Sequence, residues 1–311
     1  MTSQLHADTP IFELPPSYSA SGKRLLLKMD ALQPSGSFKL RGIGLRCVRA
    51  VEAGATELVC ASGGNAGFSA LYAARVLGVP ITIVVPETTT GAVREAMQSR
   101  GATVHVRGAA FDDADMYARV LCEERTSATY IHPFDDAVVW EGHATLIDEV
   151  VQAGAEFDCV ITSVGGGGLL AGIAMGLRRN GLSDVTIIAV ETEGAASLAA
   201  SVAAGHLVSL ASITSIASSL GAQRVAQHAL DLTRSQPVVC ATVTDRQAVA
   251  ACLKFADTVR VLVEPACGAA LAVPDVHPDL LAGFAQPLIE VCGGIGTSFQ
   301  RLQDWKRQFE L

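Results

Sequence analysis

After residue 37 the chain alternates short apolar runs with longer segments of helical spacing almost to its end, and this alternation is its strongest constraint. The apolar runs predict strands at 57–62, 81–86, 103–107, 129–134, 159–164, 186–191, 238–243 and 287–292. The segments between them predict helices from about 37 to 53 and at 64–78, 92–100, 114–125, 139–153, 169–180, 246–259 and 298–308. Strands apolar on both faces and separated by helices imply parallel sheets covered by helices. The units are too many for one compact sheet. The expectation is an α/β fold with two open, twisted, mostly parallel sheets in two lobes. Ligands in such folds bind in clefts outside the carboxyl ends of the strands.

The composition narrows the function classes. The 311 residues are 50% apolar and 17% charged, which describes a packed globular protein with a sizeable core. The net charge is −8 and no basic run occurs, which argues against nucleic acid as a partner. No apolar stretch reaches the roughly 18 residues that a bilayer span needs, so no membrane partner is expected. Residues 1–17 lack a basic segment followed by an apolar one, so they do not form a secretory signal. The eight cysteines form no CxxC pair and sit mostly in apolar runs, as reduced core cysteines of a cytoplasmic protein do. The seven histidines fall in no metal or triad spacing and read as structural or solvated.

Four segments carry chemistry. In Pro34-Ser35-Gly36-Ser37-Phe38-Lys39-Leu40-Arg41-Gly42, Ser35 or Ser37 can cap the following helix. Lys39 then lies in the first turn among apolar neighbours, where the positive helix end and partial desolvation favour the neutral amine that attacks carbonyls. Taken alone, Lys39 reads more readily as a solvated surface lysine. Ser62-Gly63-Gly64-Asn65-Ala66-Gly67 joins a strand to a helix, and its exposed N–H groups suit a carboxylate; alone it is an ordinary turn. Gly165-Gly166-Gly167-Gly168 opens a helix after an apolar strand, which suits a dianion. No GK[ST] follows, so a phosphate on a cofactor smaller than a nucleotide fits better. Cys292-Gly293-Gly294 ends the last strand, with either a core cysteine or a neutral thiol facing a flat ligand.

The order PSGSFKLRG, SGGNAG, PFDD with WEGHATL, SVGGGGLLAG, ETEGAASL, VEPACGAAL and CGG resembles the serine/threonine dehydratases among the fold-type-II pyridoxal-phosphate enzymes, over nearly the whole chain. The resemblance implies pyridoxal 5'-phosphate as cofactor, a small amino acid as substrate and a homodimer. It implies a large cofactor-binding domain of residues 1–39 and 136–311 and a small domain of residues 40–135. Lys39 matches the Schiff-base lysine, Phe38 the residue flanking the pyridine ring, and Asn65 the partner of the ring hydroxyl. Gly165, Gly166, Gly167 and Gly168 match the phosphate loop, and Cys292 matches the partner of the pyridine nitrogen. Ser62, Gly63, Asn65 and Ala66 match the loop that grips the substrate carboxylate. Glu191, Ala195, Ser197, Leu220 and Ala222 match a site for a monovalent cation such as K+; Glu191 alone reads equally as a capping or ion-pairing residue.

The implied reaction is elimination of water from L-serine and L-threonine, giving pyruvate or 2-oxobutanoate and ammonia. Many relatives, racemases included, carry serine where this chain has Gly63, which leaves no acid/base group there and disfavours racemisation. Glycine at 63 also suggests more room and looser packing on the substrate. The alternatives are a β-replacement enzyme of the cysteine-synthase kind, which carries a TSGNTG-like loop and a Ser or Thr at the nitrogen, and a non-catalytic amino-acid binder. The chain stops soon after Cys292, so the regulatory domain of biosynthetic threonine deaminases, and feedback by isoleucine, are not expected.

Overall fold

The computed structural model describes residues 4–311. Contacts group them into two compact units: residues 4–7 with Gln33–Gly142, and Asp8–Leu32 with His143–Leu311.

The first unit holds a four-stranded, all-parallel sheet in the order β5 (Thr103–Val106), β4 (Ile81–Val85), β3 (Glu57–Ala61), β6 (Ala128–Tyr130). Side chains alternate across a strand, and β3 shows it. Leu58 and Cys60 join a core with Leu40, Ile43 and Cys47 of α1 (Lys39–Glu52), with Ala70 and Leu71 of α2 (Asn65–Leu77) and with Met97 of α3 (Gly91–Gln98). Val59 and Ala61 pack the other way, on Ala114, Ala118 and Leu121 of α4 (Phe111–Glu124). The central strand β4 is buried along its whole length, which is why it reads as an unbroken apolar run. Helix α5 (Ala137–Gln152) begins in this unit and ends in the second.

The second unit holds six strands in the order β1 (Ile11–Leu14), β2 (Leu25–Lys28), β10 (Pro287–Glu290), β7 (Cys159–Ser163), β8 (Thr186–Thr192), β9 (Val238–Val243). All pairs are parallel except β1 with β2. The helices of this unit are α6 (Gly168–Arg179), α7 (Ser197–Ala204), α8 (Gln227–Ser235), α9 (Asp245–Val259), α10 (Pro265–Val276) and α11 (Phe299–Gln308). Helix α10 packs on β7, β8 and β9, and α9 lies against it.

The expected elements appear with ends shifted by a few residues, and five more appear: β1, β2, α7, α8 and α10. Among the described residues no helix is long and apolar enough to cross a membrane.

Candidate active site

Lys39 is the first residue of α1. Neither nearby serine caps that helix. Its N-terminal flanking residue is Phe38, already in helical conformation, and no side chain caps it. A turn closed by Gly36 N–H donating to Gln33 O (2.7 Å) takes the chain into the helix, so the serines turn inward instead. The Ser35 hydroxyl pairs with that of Ser69 (2.9 Å), and Ser37 Oγ is buried without a hydrogen-bond partner.

The Lys39 ammonium donates to Pro133 O (2.6 Å) and lies 5.2 Å from the centre of the Phe38 ring. Pro133 follows β6, and His132 builds the turn that holds it. His132 Nδ1 accepts from the N–H groups of Phe134 (3.2 Å) and Asp135 (2.8 Å). Burial holds this imidazole below its ordinary range, which keeps the ring nitrogen an acceptor. Lys39 also acts electrostatically on Cys60, near the end of β3; burial pushes that thiol up to about 12 against a lowering from the ammonium. Lys39 therefore sits at the carboxyl ends of β3 and β6.

The Ser62–Ala66 loop leaves the same end of β3 and opens α2, which no side chain caps. Gly64 N–H donates to Ser62 Oγ (3.2 Å). Asn65 and Ala66 are buried in the first turn. The extra room expected beside Gly63 is not there: a Cβ on residue 63 would lie 2.9 Å from Thr89 Oγ1 and 3.0 Å from Thr89 Cγ2. Thr89 fills the space that the missing side chain leaves.

In the second unit the four glycines join β7 to α6. Gly167 takes φ +90°, and a Cβ there would fall 2.4 Å from Ala229 Cβ. Gly166 O accepts from Ala226 N (3.1 Å). The backbone is thus pulled against α8 and the segment before it, and no side chain caps α6. By contrast α3, α9 and α11 are capped by Thr90, Thr244 and Ser298. A helix leaves its first N–H groups without internal partners, so the uncapped start of α6 keeps donors for an anion, whereas at α1 the N–H groups of Leu40 and Arg41 are taken by Ser37 O (3.3 Å) and Phe38 O (3.0 Å). The buried hydroxyl of Ser163, just before the glycines, also lacks a partner. These features fit a phosphorylated cofactor.

Cys292 follows β10 and is buried. Its thiol is held well above the ordinary range, first by a hydrogen bond with the Cys267 thiol, then by burial, so it stays neutral. Of the proposed cation ligands, Glu191 lies in the buried stretch of β8 and caps α7: its carboxylate oxygens accept from Leu198 N and Ala199 N, both at 2.8 Å. Ser197 Oγ is buried without a partner. Leu220 lies under the glycine loop, its Cα 3.0 Å from where a Cβ on Gly165 would sit, and its carbonyl accepts from Ala222 N (2.8 Å). Ala195 N–H donates to Thr192 O (2.9 Å), closing the turn before α7.

The chain belongs to the pyridoxal-phosphate dependent enzyme family, whose model matches residues 2–292. It is 45% identical to the human L-serine dehydratase/L-threonine deaminase over 316 residues, covering 99% of this chain and 96% of that protein. Among solved structures it resembles a fungal L-serine ammonia-lyase from Rhizomucor miehei, with a TM-score of 0.91, 34% identity, and coverage of 99% of this chain and 100% of that one. It also resembles maize serine racemase, with a TM-score of 0.87, 27% identity, and coverage of 98% and 93%. The fold is that of the fold-type-II pyridoxal-phosphate enzymes.

Proposed function

We propose that this chain eliminates water from L-serine and L-threonine with pyridoxal 5'-phosphate, giving pyruvate or 2-oxobutanoate and ammonia. The observation that carries the reading is Lys39 at the uncapped start of α1, within a chain 45% identical to a relative of that name over nearly its full length. When bound, the cofactor supplies an aldehyde that condenses with amines and a ring that withdraws electrons. Lys39 provides the amine for that aldehyde and, once released as a free amine, takes the proton from the substrate Cα. Gly165 to Gly168 offer backbone N–H groups to the phosphate, at the start of a 12-residue helix. Ser62, Gly63, Asn65 and Ala66 hold the substrate carboxylate, Asn65 also reaches the ring hydroxyl, and Phe38 flanks the ring. Cys292 would face the pyridine nitrogen as a neutral thiol, which unlike a carboxylate could not stabilise a protonated nitrogen.

Purified protein supplied with pyridoxal phosphate should acquire an absorption band at the visible edge, the band should change on adding L-serine, and pyruvate should accumulate. A band without pyruvate from serine, or 2-oxobutanoate from threonine, overturns the reaction but keeps the cofactor.

The cation belongs to the same reading. Glu191 is fully buried and no basic side chain pairs with it among the described residues, while Ser197 Oγ lies nearby in sequence without a partner. Burial pushes the Glu191 carboxyl up from 4.5 to about 7, against a lowering from its two backbone donors. A raised carboxyl takes up its proton more readily folded than unfolded. Stability from this group therefore falls as pH rises from about 4.5 through about 7, by on the order of 3 kcal/mol, and is level above. A monovalent cation held by the Glu191 carboxylate and by carbonyls of Ala195, Leu220 and Ala222 relieves that loss. Potassium chloride should raise Tm at pH near 8 more than tetramethylammonium chloride at equal ionic strength, and the difference should shrink near pH 5. Equal Tm for the two salts at the higher pH removes the cation from this site.

The cytoplasm and a homodimer complete the proposal. All eight cysteines are free, which suits a reducing compartment.

A further inference from the structure

The turn that meets Lys39 is anchored at both ends. At its start, Ile131 N–H donates to Val59 O (2.8 Å), which carries the pairing of β6 with β3 past Tyr130. At its far end, the Trp140 indole N–H donates to Phe134 O (2.7 Å), and Asp136 accepts from Val138 N (2.8 Å) in α5 and from Arg46 Nε (2.8 Å) in α1. Between these anchors the backbone is shaped from inside by one side chain. His132 Nδ1 accepts the N–H groups of both Phe134 and Asp135, at 3.2 and 2.8 Å. Its ring meets those of Phe134 and Tyr130 edge-on, with centroids 4.7 and 6.0 Å apart. The residue so enclosed is Pro133, whose carbonyl accepts from Lys39 Nζ at 2.6 Å.

We propose that His132 is a positioning residue for Lys39: as a neutral acceptor it sets the turn that aims the Pro133 carbonyl at the lysine amine. The proposal rests on the reading that Lys39 is the amine that meets the cofactor. That amine is free before the cofactor condenses with it, and again once the substrate has taken its place. In both states it rides on a long flexible stem, and a fixed acceptor holds the nitrogen where it can reach a carbonyl or a proton. Proline has no N–H with which to close the turn itself, so the next two N–H groups need an acceptor from elsewhere. A ring nitrogen accepts only when unprotonated, so the two donors assign the proton of the neutral ring to Nε2. Without this acceptor the contacts of Asp136 with Arg46 and of Phe134 with Trp140 remain. The fold then survives, while the Pro133 carbonyl loses its aim.

The test compares His132→Asn, His132→Phe, His132→Gln and His105→Phe with wild type. Asparagine places its amide oxygen where Nδ1 lies and accepts from the backbone N–H groups that follow it. Phenylalanine keeps the ring and its aromatic contacts without an acceptor, and glutamine carries its oxygen one bond further out. His105 of β5 is the control: its ring lies against that of Tyr117, centroids 5.9 Å apart, and its Nδ1 has no hydrogen-bond partner among the described residues. The readouts are the rate at which the cofactor band appears when pyridoxal phosphate is mixed with the cofactor-free chain, and kcat and KM for L-serine. In His132→Phe and His132→Gln the band rate and kcat should fall about tenfold or more, with KM within about twofold and the final band unchanged in height. His132→Asn should bring both rates back to within about threefold of wild type, and His105→Phe should leave them alone. If phenylalanine prevents folding, glutamine still decides the matter. Wild-type rates in His132→Phe or His132→Gln overturn the proposal, as do a His132→Asn protein that behaves like them, a loss confined to KM, or the same fall in His105→Phe. A wild-type protein with no cofactor band, or with its borohydride label elsewhere than on Lys39, fails the underlying reading instead.

Discussion

Lys39→Ala should lower the conversion of L-serine to pyruvate by about 10⁴-fold or more, the upper range for a group that handles protons in the reaction, and leave the fold intact. The chain has only five lysines. Lys28 is buried, with its ammonium held by Glu149 (2.5 Å) and Thr9 O (2.6 Å). Lys254 is paired with Asp275 (2.6 Å). An amine engaged by a carboxylate at that distance is not available to a carbonyl. Lys306 is exposed on α11, and Lys23 lies on a surface turn. Lys39 alone stands at an uncapped helix start, at the carboxyl ends of two parallel strands, with a backbone carbonyl accepting from its ammonium. Losing that hydrogen bond should cost on the order of 1 kcal/mol, so Tm changes little. Lys39→Arg keeps the charge and the donor but cannot give up its proton at working pH, and it should be as inactive as alanine. Borohydride reduction of cofactor-loaded wild type should fix the label to the peptide containing Lys39; neither variant should be labelled. Pyruvate formation by Lys39→Ala within about a hundredfold of wild type would sink the assignment.

The legible parts of the fold are those where burial and composition coincide. β4 and β7 are buried at every position, so their runs of Ile, Val and Thr stand out from the flanking turns. β1 and β2 were not legible because charge interrupts them: β1 exposes Phe12 and Glu13, and β2 ends in Lys28, a charge that reads as surface but is buried on Glu149. Helix α10 was hidden for the opposite reason. Its residues from Pro265 to Pro274 are all buried, so it has no polar face to set a period, and Gly268 and Pro274 read as breaks. Gly268 is instead a contact point, where a Cβ would fall 2.2 Å from Ala248 O of α9.

The site divides along the same line. Lys39 and the glycine runs are local signals, since each needs only its own loop and helix start. The contact of Glu264 with Gly294 and Gly296 depends on the loop after β10 returning to α10, a tertiary contact that no spacing announces; the segment VEPACGAAL was visible only as a motif without an assigned task. Thr89 was missed likewise, because what makes it matter is the absent side chain of Gly63. Glu191 was open between ligand and cap, and its two backbone hydrogen bonds establish the capping contact.

Gly167→Ala should weaken both the fold and the binding of phosphate, and the two effects can be separated. Gly167 sits at φ +90°, where a side chain is strained, and the added methyl would lie 2.4 Å from Ala229 Cβ and 3.0 Å from Val225 Cγ2. Strain and overpacking together should lower stability by on the order of 2–4 kcal/mol, a fall in Tm of roughly 3–6 °C. The strain is relieved only by moving the loop off α8, which turns its N–H groups away from the direction they share at the start of α6. Charge-assisted hydrogen bonds are sensitive to that aim. Affinity for pyridoxal phosphate should therefore drop about tenfold or more, while affinity for pyridoxal, which lacks the phosphate, should hardly change. Gly283→Ala is the control: it is exposed, nothing lies within 4 Å of the new methyl, and its stability should stay within about 0.5 kcal/mol of wild type. Equal losses for both cofactors in Gly167→Ala would make the loop a packing feature alone. A loss confined to the phosphorylated one assigns the four glycines to the phosphate, because only a group that contacts the phosphate can tell the two molecules apart.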